Sequence, residues 1–323
     1  MDSNNKVSIL VPIYGVEKYI EKCAHSLFRQ TYSNIEYVFM NDCTPDYSMQ
    51  VLQGVLAAYP ERKDAVKIVE HSCNKGLSSA RNIAFEASTG DYVMHVDSDD
   101  FLDVNAVEAC VREVQATQAD MVRLAISRVY ADSEHIDIIS FKDKEEYLRQ
   151  VLRRKTAVSV WGTLYKRSLI EESKVRSIDQ VNFGEDYCTF PRVLFFAKRV
   201  SFVSDAKYYY VMNNTSSLTN VYSHKNYLDV QIAIEVLHNF FSEPSRELYW
   251  VDYQKGALSL ISDMMGDSLN PYRPDDFKVL RTLSRKYDWR LGEDGKSRLK
   301  LRLLRGNHYI IASMLYKALN LQG

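Results

Sequence analysis

The sequence predicts an α/β fold, a mostly parallel sheet flanked by helices, followed by a helical C-terminal region. Three observations predict it. Through about residue 120, short apolar runs alternate with amphipathic segments. The runs are near-continuously apolar rather than alternating, as strands buried on both faces are. From Asn226 onward the text is helical, opening with "YLDVQIAIEVLHNFF".

The elements follow in order. "VSILV" (7–11) is apolar, rich in β-branched residues and closed by Pro12, so it reads as a buried strand. Ile20, Cys23, Ala24 and Leu27 repeat at helical spacing to about Arg29. "IEYVFM" (35–40) is a second strand, and Val51, Leu52, Val55, Leu56 and Tyr59 mark a second helix closed by Pro60. "VKIV" (66–69) is a third strand, followed by a helix through Leu77, Ala80, Ala84 and Ala87 that ends near Gly90. "YVMHV" (92–96) is the fourth strand, and Val104, Val107, Val111 and Val114 mark the fourth helix. Beyond 120, "MVRLAI" reads as a strand, "KEEYLRQVLRR" as a helix and "KYYYVM" as a strand. Composition divides the chain into 1–220 and 221–323.

The bulk numbers exclude several classes. With 323 residues the chain has room for one large domain, or for one domain and a smaller one. A net charge of −1 gives no basic field for nucleic acid. Five cysteines, an odd number without a C-x-x-C pair, suggest neither a disulfide framework nor a zinc site, and suit a reducing cytoplasm. The N-terminus lacks the pattern of a signal peptide. No run approaches the ~18 apolar residues of a membrane span. The sequons in "NNTS" (213–216) then read as chance matches.

Ligands of open parallel sheets bind beyond the carboxyl ends of the strands, which selects loops 12–17, 41–46 and 97–103. The last delivers Asp97, Asp99 and Asp100 directly after an apolar strand. Clustered carboxylates suit a hard cation, Mg²⁺ or Mn²⁺, that bridges to phosphates. The other reading is a solvated turn, with Asp103 capping the helix from Val104. Asp42 ends the second strand, where a carboxylate accepts from a base N–H or a ribose hydroxyl, or simply serves a turn. Asp46 is placed to cap the second helix. In "CNKGLSSARN", Gly76 permits close backbone approach and Arg81 suits a phosphate or base, or is a surface arginine. Trp161 with Tyr165, and Tyr208, Tyr209 and Tyr210, offer faces for sugar stacking, although core packing explains most of them.

Four motifs in order, "VSILVPIYGVEKYIEKCAHSLFRQTYSNIEYVFMNDCTPD", "NKGLSSARNIAFEASTG", "DYVMHVDSDD" and "FGEDY", resemble the family 2 glycosyltransferases. The resemblance covers about the first 220 residues. It implies a Rossmann-like GT-A fold, a nucleotide-sugar donor (a UDP-sugar foremost), Mn²⁺ or Mg²⁺, inversion at the anomeric carbon, and bacterial surface-polysaccharide assembly with a glycan or lipid-linked glycan acceptor. Residue by residue it implies that Pro12 and Tyr14 border the base with Glu17 close by, and that Asp42 holds the base. Arg81 would lie near the nucleotide, Asp97 would face ribose and diphosphate, and Asp99 would ligate the metal. Asp186 stands at the position of the catalytic base with Glu185 beside it. Two positions depart from the pattern. Asn41-Asp42-Cys43 replaces acid-acid-glycine, and cysteine takes positive φ less cheaply than glycine. Gly15 replaces an asparagine.

The "ED" pair also reads as two acids in a first helical turn. Haloacid-dehalogenase-type phosphatases share a D-x-D, but want Thr or Val where Phe101 stands and place the motif on the first strand. A non-catalytic nucleotide- or carbohydrate-binding protein is the remaining alternative. After Asp294 no acid follows, while Lys296, Arg298, Lys300, Arg302, Arg305 and Lys317 are interleaved with leucine, isoleucine and methionine. Such a tail either lies on an anionic membrane surface, on the inner face of the cell membrane, or packs as a helix with a solvated basic face.

Overall fold

The computed structural model describes residues 5–137, 139–214, 223–269, 273–312 and 314. The chain divides into two compact units. One comprises Met1–Lys144, Ser159–Asn182 and Thr189–Ser217; the other comprises Glu145–Val158, Phe183–Cys188 and Leu218–Gly323.

In the first unit, β1 (Val7–Ile13), β2 (Ile35–Asn41), β3 (Val66–Glu70) and β4 (Tyr92–His95) pair in parallel in the order β3-β2-β1-β4. The intervening helices are α1 (Ile20–Phe28), α2 (Ser48–Ala57) and α3 (Leu77–Ala87). Every residue of β1 is buried, which is why it carries no polar alternation. The strand runs through Pro12 instead of ending before it. Leu10 O takes the Val96 amide, so Pro12, two residues on, faces the β4 side beyond the last register pair, Leu10 with His95. Its missing N–H falls where those two strands part.

Beyond β4 the sheet is mixed. β8 (Thr163–Lys166), followed by α6 (Arg167–Ser173), is antiparallel to β4 and to β6 (Met121–Val129), and β9 (Val200–Val211) is parallel to β6. β7 (Glu134–Asp137) hangs on β6, and β5 (Phe101–Leu102) pairs antiparallel with β9. β9 begins seven residues before "KYYYVM". The reason is a register shift between Leu124 and Ala125, opposite Val203 and Lys207. The intervening Ser204, Asp205 and Ala206 form a bulge that breaks the alternation a strand would show.

β9 grips the acidic loop. Asp100 is 1% exposed, and its Oδ2 accepts from the Tyr208 hydroxyl (2.7 Å) and its Oδ1 from the Val211 amide (2.8 Å). The same hydroxyl accepts from the Asp97 amide (3.1 Å). Asp103 accepts from the Lys207 amide and the Tyr209 hydroxyl, each at 2.9 Å. Asp103 therefore holds β9 instead of capping a helix, and the helix expected from Val104 begins as α4 (Ala106–Thr117), two residues later. All five cysteines are free.

The second unit is helical: most of α5 (Lys144–Leu152), the start of α7 (Glu185–Phe196), and α8 (His224–Phe241), α9 (Trp250–Leu269), α10 (Pro274–Ser284) and α11 (Gly295–Arg305). α5 and α9 meet at Gly256, where a Cβ would lie 1.7 Å from the Leu152 carbonyl oxygen. Beside that contact, Asp252, 2% exposed, pairs with Arg149 and Arg153. No described helix is long and apolar enough to cross a membrane.

The clamp makes a prediction. Tyr208→Phe strips the hydroxyl from a buried carboxyl and a backbone amide, and is expected to cost about 2–3 kcal/mol. Urea unfolding reads this as a lower midpoint at constant slope; an unchanged midpoint would contradict the clamp.

Candidate active site

The loops after β1, β2 and β4 lie at the carboxyl edge of the parallel strands, and hydrogen bonds tie the first two together. Gly15, at φ +68°, donates its amide to Thr44 Oγ1 (2.8 Å), and the Glu17 amide donates to Asp46 Oδ2 (3.0 Å). The Glu17 carboxylate in turn accepts from the Tyr47 amide (3.1 Å) at the start of α2. Asp46 accepts from the Ser48 amide at 3.1 Å, in the first turn of that helix, and also from the Ser48 and Thr44 hydroxyls. Burial works against ionisation of Asp46, but these bonds outweigh it and hold its carboxyl below its usual range. Pro12 is buried beneath this lattice, and Tyr14, 50% exposed, projects from it.

Asp42, 3% exposed, accepts from His71 Nδ1 (2.7 Å) and the Lys75 amide (2.8 Å) on Oδ1, and from the Gly76 amide (2.7 Å) on Oδ2. Much of its capacity of about four lone pairs thus fixes the loop that enters α3. Gly76 is required there: its φ is +89°, and a Cβ would sit 2.4 Å from the Asn182 side chain. Cys43 takes φ +57° although it is not glycine, and exposure gives its side chain room.

The acids after β4 each have a separate partner. Asp97 Oδ1 accepts from Arg81 (2.9 Å), whose guanidinium is 2% exposed, so Arg81 is not a surface arginine. Asp99 Oδ2 accepts from Asn214 Nδ2 (2.8 Å). Asp100 belongs to β9, as described. Burial first, then the charge of Asp97, raises the Asp99 carboxyl above its usual range. Burial, followed by Asp99 and Asp97, pushes Asp100 well up. This is an acidic cluster that neighbouring positive charge would relieve.

The donor set fits a hard divalent cation. Asp97 and Asp99 stand two residues apart and present carboxylate oxygens. Among the described residues no group of three or more His, Cys, Asp or Glu gathers as a closed cage. One or two carboxylates, with water and phosphate completing the shell, is the set Mg²⁺-like ions use beside a diphosphate.

Glu185 and Asp186 open α7 and belong to the second unit. Glu185 is 8% exposed and Asp186 is half-buried. Gly184 before them takes φ +80°, the turn that starts the helix. Acids in a first turn are favoured by the helix dipole.

The aromatic residues divide. Tyr165 and Tyr208 are core, and Trp161 stacks between Tyr208 (4.5 Å) and Tyr210 (5.0 Å) with 8% exposure. Most of "NNTSSLT" lies outside the described residues, but Asn214 within it is described. The sequence offers that segment as a source of hydroxyls and amides near donor or acceptor, or as a plain loop, without singling out Asn214; His71 and His95 escaped sequence reasoning. His95 lines a small cavity with Arg81, Asn82, Tyr165 and Arg176, and burial with the Arg81 charge holds its imidazole neutral, down to about 3. Only "YVMHV", a histidine inside an apolar run, signalled it.

With this geometry described, comparison with known proteins gives the family. The model for "Glycosyl transferase family 2" matches residues 8–173. The "Uncharacterized glycosyltransferase EpsJ" of Bacillus subtilis is 31% identical over 67% of this chain, and the chain spans 63% of that relative's length. Among solved structures, Staphylococcus aureus TarS 1–349 in complex with UDP-GlcNAc superposes with a TM-score of 0.75 at 19% identity, covering 98% of this chain and 92% of that one. A mannosyltransferase from Pyrobaculum calidifontis, PcManGT, in complex with GDP-Man and Mn²⁺, gives a TM-score of 0.54 at 15% identity over 96% and 86%. The fold is that of these GT-A enzymes, and the chain belongs to glycosyl transferase family 2.

Proposed function

We propose that the protein is an inverting, metal-dependent glycosyltransferase that moves a sugar from a UDP-sugar to an acceptor hydroxyl in polysaccharide assembly. One observation carries the reading: Asp97 and Asp99 stand at the carboxyl end of β4, one held by the buried Arg81 and the other by Asn214. A diphosphate and a divalent cation satisfy that arrangement of charge. TarS supports the choice of uridine nucleotide and PcManGT the choice of Mn²⁺.

In the proposed reaction the acceptor oxygen attacks the anomeric carbon from the face opposite the diphosphate. The new C–O bond forms as the bond to the β-phosphate oxygen breaks, and the hydroxyl proton passes to Asp186. Arg81 holds the Asp97 carboxylate in place beside the nucleotide, while Pro12 and Tyr14 border the base and Asp42 holds it. Glu17 keeps the first loop closed on α2. Glu185 flanks the base catalyst. Mn²⁺ or Mg²⁺, held by Asp99, would neutralise charge on the departing diphosphate.

Partner and location belong to the same proposal: a glycan or lipid-linked glycan acceptor, reached at an anionic membrane surface. On α11 Leu301 and Leu304 are buried, while Leu299 is exposed; Ile310, Ile311 and Met314 beyond it are 68%, 49% and 66% exposed. Lys296, Arg298 and Arg302 are exposed beside them, and basic charge with apolar side chains suits anionic headgroups. Leu315 and Lys317 of the same tail lie outside the described residues.

Two measurements test these assignments. Asp186→Asn keeps the shape of the side chain and loses the proton acceptor, so sugar transfer is expected to fall by roughly 10²- to 10⁴-fold with UDP affinity little changed. Near-normal turnover would give the base role to another group. Serine at Ile310, Ile311 and Met314 together is expected to reduce co-sedimentation of the full chain with anionic vesicles; equal pelleting would remove the membrane contact.

A further inference from the structure

We propose that Asn214 is the positioning residue that orients Asp99 toward the cation, an inference that rests on the donor-site reading above. Asn214 is 4% exposed, and its Nδ2 lies 2.8 Å from Asp99 Oδ2. A buried carboxamide is costly unless hydrogen-bonded. An ionised carboxylate only accepts, so the amide nitrogen is the end that faces it.

The chemistry of that donor matters. Asp99 stands between Asp97, which pairs with Arg81, and Asp100, which Tyr208 holds. A lysine or arginine at position 214 would relieve the cluster, but would bring a positive charge that competes with the cation. A neutral amide fixes one oxygen of the carboxylate without neutralising it, which leaves the other for the metal. Arg81 already does the opposite at Asp97, pairing charge with charge. The two acids of the motif are thereby differentiated: Asp97 is paired within the protein, and Asp99 is oriented but left anionic.

The chain arranges this economically. The Val211 amide binds Asp100 Oδ1 at 2.8 Å, and three residues later Asn214 reaches Asp99. The end of β9 therefore addresses two neighbouring acids in register, and an error in its placement disturbs both. Partners one shell beyond a metal ligand fix its orientation, and their loss typically weakens metal affinity by roughly 10- to 100-fold.

The test is Mn²⁺ binding followed by electron paramagnetic resonance of the full chain with UDP, beside metal-free thermal unfolding in EDTA. Asn214→Leu keeps the volume and removes the donor. Mn²⁺ affinity is expected to fall by roughly 10- to 100-fold, with a changed line shape for the bound ion and an unchanged metal-free midpoint. Equal Mn²⁺ affinity in the variant overturns the role of Asn214 alone, and so does a parallel loss of metal-free stability. Absence of Mn²⁺ binding by the native chain with UDP overturns the donor-site reading and this inference with it. Should Asn214→Leu not fold, a crystal structure of the native chain with Mn²⁺ and UDP decides. Asn214 Nδ2 on Asp99 with the metal on the other carboxylate oxygen supports the inference; Asn214 Oδ1 bound to the metal, or turned away, overturns it.

Discussion

The hydroxyl of Tyr208 is the point on which this site depends. Three carboxylates follow an apolar strand, and burial with like charge raises the pKa of two of them, Asp99 and Asp100. Tyr208 donates to one of them, Asp100, and accepts from the amide of another, Asp97. A single buried oxygen thus fixes the turn between the acid that pairs with Arg81 and the acid that faces the core. Asp100 is lost to chemistry but stitches the loop to β9. With the loop fixed, Arg81 and Asn214 can each meet a defined partner. Had all three acids been free, the cluster would lower its energy by protonation or by turning toward water, and neither outcome leaves a carboxylate in a fixed orientation.

The same logic governs the loops after β1 and β2. Asp42, Glu17 and Asp46 spend hydrogen-bonding capacity on backbone amides, so this edge of the sheet is built from turns pinned by carboxylates. His71 contributes through Asp42, its Nδ1 at 2.7 Å. The elements differ in what they ask of glycine. Gly76 has no space for a side chain, whereas Cys43 sits at positive φ in the open and bears only the conformational cost, about 1 kcal/mol. This is the physical content of the departure from acid-acid-glycine: the turn survives, slightly strained.

Much of the first half was legible because its signals are local. Near-continuous apolar runs gave β1 to β4, and the rule that ligands collect at carboxyl ends selected the acidic loop. What escaped was non-local or irregular. β9 was truncated because the Ser204–Ala206 bulge interrupts its alternation. Asp99 and Asp100 are identical in type and adjacent in sequence, so nothing local separates an oriented acid from a clamp; the partners that do so stand 115 and 108 residues away. Phe101–Leu102 fell inside the loop read over 97–103 because a two-residue strand has no periodicity of its own. The acids of "GEDY" were legible as a motif, while the assignment of 183–188 to the second unit depends on contacts such as that of the Phe183 amide with Asp229 (3.3 Å).

The division of labour between adjacent acids is the central claim, and calorimetry of UDP binding with and without Mn²⁺ tests it directly on Asp99→Asn and Asp100→Asn. The account predicts that Asp99→Asn loses the Mn²⁺-dependent gain in UDP affinity and keeps its unfolding midpoint. Asp100→Asn is predicted to unfold earlier, while the protein that remains folded retains most of that gain. A Mn²⁺-dependent gain that survives in Asp99→Asn and vanishes in Asp100→Asn would contradict it.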